Sequence, residues 1–164
     1  MAFPRLFFND IRRLYESVRV VINRRDAGVY NPDLLRFVEV GSNEGGTSLH
    51  LIRWMEEYFR NRDQDSNFLY YGIDMQQEPH ETHEKFVFLK GYSFDKAVYS
   101  AIPDPIHWLF IDACHCKQCV VKDVLVYLPK LHPNGVLVFH DVAEPIQGKV
   151  AQWNDWKELE GVHD

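Results

Sequence analysis

The side chains best suited to chemistry in this chain stand at the ends of short apolar runs. Asp74, Asp112 and the pair His140 and Asp141 each follow or close such a run. Carboxylates accept hydrogen bonds and bind hard cations, and an imidazole exchanges a proton near neutral pH. If the runs are parallel strands, these groups meet at the carboxyl edge of a sheet, where such sheets bind ligands. The pattern therefore predicts a site for a polar ligand that can also move a proton.

A glycine-rich segment, Gly41–Gly46, links the first apolar run to a predicted helix. Two ligand patterns fit its spacing. One is the dinucleotide pattern G-x-G-x-x-G, which Gly41, Asn43 and Gly46 approximate. The other is the pattern E/D-x-G-x-G-x-G of S-adenosylmethionine sites. Glu39 is its acid, and Gly41, Asn43 and Gly45 stand at its glycine positions. A pyrophosphate needs a glycine where Asn43 stands, so a ligand without phosphate is favoured over a dinucleotide. An ordinary strand-to-helix turn is the alternative.

All three cysteines lie in one short segment, as Cys114, Cys116 and Cys119 around His115. An odd number of cysteines in one run is not a secreted disulfide framework. The compact spacing also lacks the second ligand pair that structural zinc sites usually have, so zinc is not predicted. A thiol of Cys114 or Cys116 near a substrate pocket would be a redox-sensitive group.

These residues are positioned by an alternation of strands and helices. Short continuous apolar strands separated by helices indicate a parallel sheet covered on both faces. The predicted fold is therefore α/β, a Rossmann-like, doubly wound and mainly parallel sheet. The predicted domains are an N-terminal helical segment, 1–30, and a Rossmann-like domain, 31–164. The strands are predicted at 35–40, 68–73, 86–89, 106–111 and 136–140, and the helices at 6–23, 47–60, 118–128 and 145–160.

Three stretches together resemble the motifs of class I S-adenosylmethionine-dependent methyltransferases. The stretch 37–49 is similar to their first motif and 71–74 to their second. The stretch 110–116, followed by Asp123 and 128–141, resembles the FIDADHSYE…HD pattern of one subgroup. That subgroup includes small-molecule, sugar and macrolide O-methyltransferases and relatives described as cephalosporin hydroxylases. The resemblance spans residues 35–159 and implies the class I methyltransferase fold.

The resemblance implies S-adenosyl-L-methionine as the cofactor. Asp74 would accept hydrogen bonds from the ribose hydroxyls, and Tyr92 and Ser93 would flank the adenine. Tyr92 stands where the family often has Asp, so stacking on the ring would replace a hydrogen bond. The implied cofactor-binding residues are Glu39, Gly41, Ser42, Asn43, Gly45, Asp74, Tyr92, Ser93 and Asp112.

The implied reaction is methyl transfer to a hydroxyl oxygen of a small molecule or sugar. Asp112 and Asp141 match positions that bind a divalent metal in metal-dependent members, which makes Mg²⁺ a candidate second cofactor. His115 or His140 would take the proton from the acceptor. The implied catalytic set is thus Asp112, His115, His140 and Asp141. The alternatives are a NAD(P)- or nucleotide-binding Rossmann enzyme and a non-catalytic binding module of the same fold.

Composition limits the partners. The net charge is −6 and the isoelectric point about 5.7, which argues against non-specific nucleic-acid binding. No apolar run approaches the length needed to span a membrane. We therefore expect a cytoplasmic protein with a small-molecule acceptor and no membrane partner.

The region after the fifth predicted strand departs from the family pattern. Class I methyltransferases usually add a hairpin of two further strands there, and no such apolar strand is visible after residue 140. The strand 136–139 would then be an unpaired apolar edge, which invites pairing with another chain. We expect either homo-oligomerisation through this edge or cover by the C-terminal segment with Trp153 and Trp156.

Overall fold

A computed structural model describes residues 8–30, 34–65 and 67–140. Within them lie four helices, one short 3₁₀ turn at Leu128–Lys130, and five strands. The helices are α1 (Phe8–Asp26), α2 (Gly46–Arg60), α3 (Lys96–Ser100) and α4 (Lys117–Tyr127). The strands are β1 (Leu35–Val40), β2 (Phe68–Asp74), β3 (Phe86–Lys90), β4 (Ile106–Ile111) and β5 (Leu131–Phe139).

The five strands form one parallel sheet in the order β3-β2-β1-β4-β5. The chain reverses its direction of winding between β1 and β4, so the ends of these two neighbours open a crevice at the sheet's carboxyl edge. This topology is the Rossmann-like, doubly wound α/β fold predicted above. The predicted absence of the further hairpin concerns residues 141–164, which lie outside the described residues.

The sheet is covered on both faces, and all six residues of β4 are buried. One face packs against α1 and α2, with Phe37, Trp108 and Met55 fully buried between them. The other face packs with residues of α3 and α4, around Val98 and Tyr127. The helix α1 belongs to the first of these layers, and the Trp108 indole donates to the Ser17 hydroxyl across it at 2.8 Å.

The start of β5 and the helix α3 differ most from the sequence prediction. The strand β5 begins at Leu131 rather than at residue 136, and the predicted turn 132–135 falls within its bounds, at a register shift against β4. The Asn134 carbonyl is held there by Arg24 of α1 and by Tyr30, which follows α1, each 2.6 Å away. The short helix α3 was not predicted because five residues give too little periodicity to recognise. The predicted helix 145–160 lies outside the described residues.

Candidate active site

A cavity of about 850 Å³ opens at the carboxyl ends of β1, β2 and β4. All predicted cofactor-binding residues except Gly45 line it, and so does His115. His140 lies behind the wall, and Asp141 is outside the described residues. The structure thus brings residues from four separate loops around one space whose size is typical of a small-molecule site.

The loop between β1 and α2 turns sharply through residues with positive φ. Gly41, Asn43 and Gly45 have φ values of 92°, 49° and 77°. Asn43 tolerates this conformation better than most residues, which explains why a non-glycine residue stands in the middle of the loop. A side chain on Gly41 would collide with the backbone of Asp112 and lie 2.7 Å from the Cα of Ala113. The absence of a Cβ at Gly41 therefore lets the first loop close against the end of β4.

Gly45 has a different role from the one the resemblance implied. It caps the N-terminus of α2 and is buried against Pro79 and Phe86 rather than lining the cavity. Its contribution is to shape the loop that carries Ser42 and Asn43.

Asp74 ties two loops together through its carboxylate. Oδ2 accepts the backbone N–H of Asn43 at 3.0 Å, and Oδ1 accepts those of Gln76 and Gln77 at 2.8 and 2.9 Å. A carboxylate offers roughly four acceptor positions. Asp74 therefore keeps about one position for a ligand hydroxyl, where the sequence predicted bonds to both hydroxyls of a ribose.

The Ser42 hydroxyl is buried behind the cavity wall. Ser42 is only 3% exposed, and its hydroxyl makes no hydrogen bond in the described part of the chain. The hydroxyl oxygen lies 2.9 Å from the position that a Cβ on Gly72 would take, so it faces β2 although the residue lines the cavity.

Glu39 is buried at the base of the cavity. Its Oε2 accepts hydrogen bonds from the hydroxyls of Ser48 and Tyr70, the second at 2.9 Å. Burial raises the pKa of Glu39 to about 7 despite these two bonds, and the nearby carboxylates of Asp112 and Asp74 raise it further. Glu39 therefore changes charge near neutral pH and can compensate a cationic ligand group.

Asp112 lies between two imidazoles at the end of β4. Its Oδ1 is 3.1 Å from Nδ1 of His140 and 3.9 Å from Nε2 of His115. Nε2 of His140 faces Asp10 of α1 at 3.9 Å. His115 and Asp112 line the cavity, whereas His140 stands behind Asp112. Of the two predicted histidines, His115 is the one placed to reach a ligand in this cavity.

The far end of the cavity carries apolar surface. Met75 and Tyr92 are among the large exposed apolar side chains, and Tyr92 stacks on Phe94 with ring centroids 5.4 Å apart. Such side chains suit a flat aromatic ligand group. The resemblance had already placed Phe94 with Tyr92 and Ser93 in the loop that flanks the adenine. Sequence reasoning missed Met75, although it directly follows Asp74.

Ser93 lines the cavity, and its hydroxyl and its carbonyl both form hydrogen bonds within the protein. Its hydroxyl donates to the buried Asp123, and its carbonyl accepts from Tyr127 at 2.7 Å. Burial raises the pKa of Asp123, although the Ser93 hydrogen bond opposes this. Asp123 also lines the cavity. Asp123 is part of the subgroup motif in the sequence, where no role was predicted for it. In the structure it anchors the loop that follows β3.

The three cysteines converge beside the cavity. Their sulfur atoms all lie within 4.8 Å of one another, and those of Cys114 and Cys116 are 3.1 Å apart. Burial, with hydrogen bonds to the neighbouring thiols, raises the pKa of Cys119 to about 12. Burial also acts to raise the pKa of Cys116, but hydrogen bonds from Cys114, Cys119 and the Gln118 backbone outweigh it and lower that pKa.

No helix in the described ranges is both long and apolar enough to cross a membrane. This finding agrees with the absence of a long apolar run in the sequence.

Comparison with known proteins extends this picture. Uncharacterized protein R132 of Acanthamoeba polyphaga mimivirus is 28% identical over 134 residues, 70% of this chain and 55% of that protein. The chain therefore spans about half the length of this relative.

Two solved methyltransferases share the fold. The MycE methyltransferase of the mycinamycin biosynthetic pathway, solved with Mg and S-adenosylhomocysteine, has a TM-score of 0.57 at 20% identity. That match covers 86% of this chain and 34% of MycE. CalS11, a TDP-rhamnose 3'-O-methyltransferase of calicheamicin biosynthesis, has a TM-score of 0.60 at 13% identity, covering 95% of this chain and 71% of CalS11. At these identities the likeness establishes the fold alone.

A family model described as a methyltransferase domain matches residues 38–142. The match begins in β1 and includes the glycine loop, Asp74, Asp112 and both histidines of the site. Because it covers more than half of the chain, the chain belongs to this methyltransferase domain family.

Proposed function

We propose that this chain is an S-adenosylmethionine-dependent methyltransferase that methylates a hydroxyl oxygen of a sugar or another small molecule. The observation that carries the proposal is one cavity walled by the glycine loop, Asp74 and the Asp112–His115 pair. The glycine loop and Asp74 fit the binding of a methyl donor. The Asp112–His115 pair fits the removal of a proton from an acceptor. The mycinamycin-pathway and TDP-rhamnose methyltransferases that share the fold support the same class of acceptor.

The described residues fit this cofactor. Glu39 lines the cavity and can balance a positive charge at the methionine end. Asp74 keeps an acceptor position for a ribose hydroxyl, and Met75 with Tyr92 gives apolar surface for an adenine. Asn43 replaces the glycine on which a pyrophosphate would rest, which favours this ligand over NAD.

When bound, the cofactor supplies an electrophilic methyl group on a sulfonium. The protein must hold an acceptor hydroxyl in line with it and remove the hydroxyl proton. The His115 imidazole lines the cavity and is the group we assign as proton acceptor. The Asp112 carboxylate, 3.9 Å away, stabilises the imidazolium that forms. His140 contacts the same carboxylate at 3.1 Å and acts as a positioning residue.

The described donors do not by themselves fit Mg²⁺. Asp112 is flanked by two imidazoles, whereas Mg²⁺ prefers a set of oxygen ligands. Its predicted partner, Asp141, lies outside the described residues. A Mg²⁺ site between Asp112 and Asp141 therefore stays a prediction.

The test is calorimetric titration of the full chain with S-adenosylhomocysteine and, separately, with NAD. We expect S-adenosylhomocysteine to bind and NAD not to bind. The substitution Asp74→Ala should weaken binding by about 1.5–3 kcal/mol, since it removes a charged hydrogen-bond partner. The matched control is Glu78→Gln, an exposed carboxylate on the same loop that pairs with Lys90 outside the cavity wall. Tighter binding of NAD, or equal affinity in the Asp74 variant, would contradict the proposal.

A second experiment tests the assignment of His115 as the proton acceptor. In a product assay with hydroxyl acceptors such as TDP-rhamnose, His115→Gln should lower kcat by about 10²–10⁴. Affinity for S-adenosylhomocysteine should stay unchanged. His83→Gln, on the loop before β3, is the control histidine. Full turnover in the His115 variant would remove His115 from the reaction.

A further inference from the structure

The segment between β4 and α4 gathers three thiols that the proposed methyl transfer does not use. Cys114 follows the end of β4, Cys116 is the residue that caps α4, and Cys119 lies in its first turn. Their sulfur atoms lie within 4.8 Å of one another in the described structure. The chain thus brings together every cysteine that it contains.

The spacing of these sulfurs matches that of thiolates around one metal ion. A Zn–S bond is about 2.3 Å long, so tetrahedral geometry separates neighbouring sulfurs by about 3.8 Å. The observed separations run from 3.1 Å for Cys114 and Cys116 up to the 4.8 Å limit. Small rotations of the side chains would therefore bring all three sulfurs to the metal-bound distance.

The helix behind the thiols suits a negatively charged metal site. The N-terminus of a helix carries a partial positive charge, and α4 has no acidic residue in its first turn. Cys116 and Cys119 lie at this end of α4, and a bound cation would displace the thiol proton that burial retains on Cys119. Three thiolates and one divalent cation leave a single negative charge at this end of the helix.

The fourth coordination position would open toward the cavity. Cys114 and Cys119 both line the cavity wall, and Cys114 is exposed. His115 directs its imidazole toward Asp112 instead, with Nε2 3.9 Å from the carboxylate. Metal sites with three protein ligands and one open position bind water or a substrate group there.

We infer that Cys114, Cys116 and Cys119 form a binding site for one thiophilic cation, Zn²⁺, at the wall of the methyltransferase cavity. The sequence argued against zinc because it lacks a second pair of ligands, and a three-thiolate site with an open position needs no such pair. Binding releases the three thiol protons to solvent and needs no oxidant, whereas a disulfide would use two thiols and require one.

The experiment uses the full chain, reduced with a phosphine and kept without oxygen, and Co²⁺ as the spectroscopic probe. We expect sulfur-to-cobalt charge-transfer absorption that saturates at one equivalent, with ligand-field bands typical of tetrahedral cobalt. Added Zn²⁺ should displace the cobalt and abolish both signals. Reduced wild-type protein without charge-transfer absorption at one equivalent would overturn the inference, whatever the variants do.

Substitutions then identify the ligands. Each of Cys114→Ser, Cys116→Ser and Cys119→Ser should weaken Zn²⁺ binding by at least about tenfold in competition with a coloured chelator. The matched control is Gln118→Ala, an exposed residue between two of the ligands, which should bind like wild type. Circular dichroism confirms that each variant is folded. Unchanged affinity in the three folded cysteine variants would also overturn the inference.

Discussion

Glu39 is a site residue whose chemistry is set strongly by its surroundings. It is 2% exposed and bonded to the hydroxyls of Ser48 and Tyr70, and burial raises its pKa to about 7 from a usual 4.5. Between these two values the folded protein keeps a proton that the unfolded chain has released. Protons bound in excess by the folded state make stability fall as the pH rises.

We therefore predict that Glu39→Gln removes part of the loss of stability between pH 5 and pH 8. The amide oxygen of the substituted side chain would still accept from Ser48 and Tyr70, and an amide does not ionise in this range. A pKa change from 4.5 to about 7 corresponds to roughly 3 kcal/mol as an upper limit. Urea unfolding at both pH values measures how much the variant gains over wild type.

Taking the difference between variant and wild type cancels other groups that titrate in this range. Burial lowers the pKa of His50, and it lowers that of His107 to about 4, but both histidines are present in each protein. Glu16→Gln, an exposed carboxylate on α1, is the control and should follow wild type at both pH values. An equal pH dependence in Glu39→Gln and wild type would show that Glu39 is ionised throughout.

At the scale of residues, the sequence predicted the cavity wall well because strand ends in a parallel sheet share one edge. Asp74 and Asp112 could be placed from the apolar runs before them. The convergence of the three cysteines could not, since it depends on the path between β4 and α4 and on which turn of the helix carries Cys119. The hydrogen bonds that the Asp74 carboxylate accepts could not be predicted from the sequence either. They come from backbone N–H groups, which every residue except proline supplies.

At the scale of elements, β1 and β4 have the bounds predicted from their apolar runs. The strand β2 ends one residue later than predicted. The predicted start of β5 was wrong, because a Pro-Asn-Gly sequence is typical of a turn and was placed before the strand. This segment instead lies inside β5, at the register shift against β4, where Arg24 and Tyr30 bind the Asn134 carbonyl. Local sequence cannot report a contact made by residues a hundred positions away.

The loop before α2 gives a prediction at this scale, with a natural control in the same chain. Gly41 and Gly28 both have positive φ, at 92° and 72°. An added Cβ at Gly28 meets open space, whereas one at Gly41 collides with the backbone of Asp112. Gly28→Ala should cost about 1–2 kcal/mol of unfolding free energy, from backbone conformation alone.

Gly41→Ala should cost about 1–3 kcal/mol more than Gly28→Ala, because β4 and the loop must move apart. It should also weaken S-adenosylhomocysteine binding, since that movement displaces the cavity wall, while Gly28→Ala should leave binding unchanged. Chemical denaturation and calorimetry measure the two effects. Equal costs at the two positions would mean that the close approach of the loop to β4 carries no energy.

At the scale of the whole molecule, the sheet has two different edges in the described part of the chain. The strand β3 at one edge follows Lys85 and ends in Lys90, charges that oppose pairing with another strand. The strand β5 at the other edge pairs only with β4 among the described strands, and its segment 136–139 is apolar. Its side chains pack into the layers on both faces of the sheet, which leaves the backbone of its outer side to be satisfied.

We predict that the chain self-associates through the outer side of β5, because an apolar strand with unpaired backbone groups is a template for another strand. Sedimentation velocity should show a dimer that forms as concentration rises. Hydrogen exchange in the segment 136–139 should slow over the same range, while exchange in β3, the internal control, should not change. A species that stays monomeric at high concentration, with 136–139 already protected, would contradict pairing between chains. That result would assign the cover of β5 to the chain's own C-terminal segment, where Trp153 and Trp156 supply apolar surface.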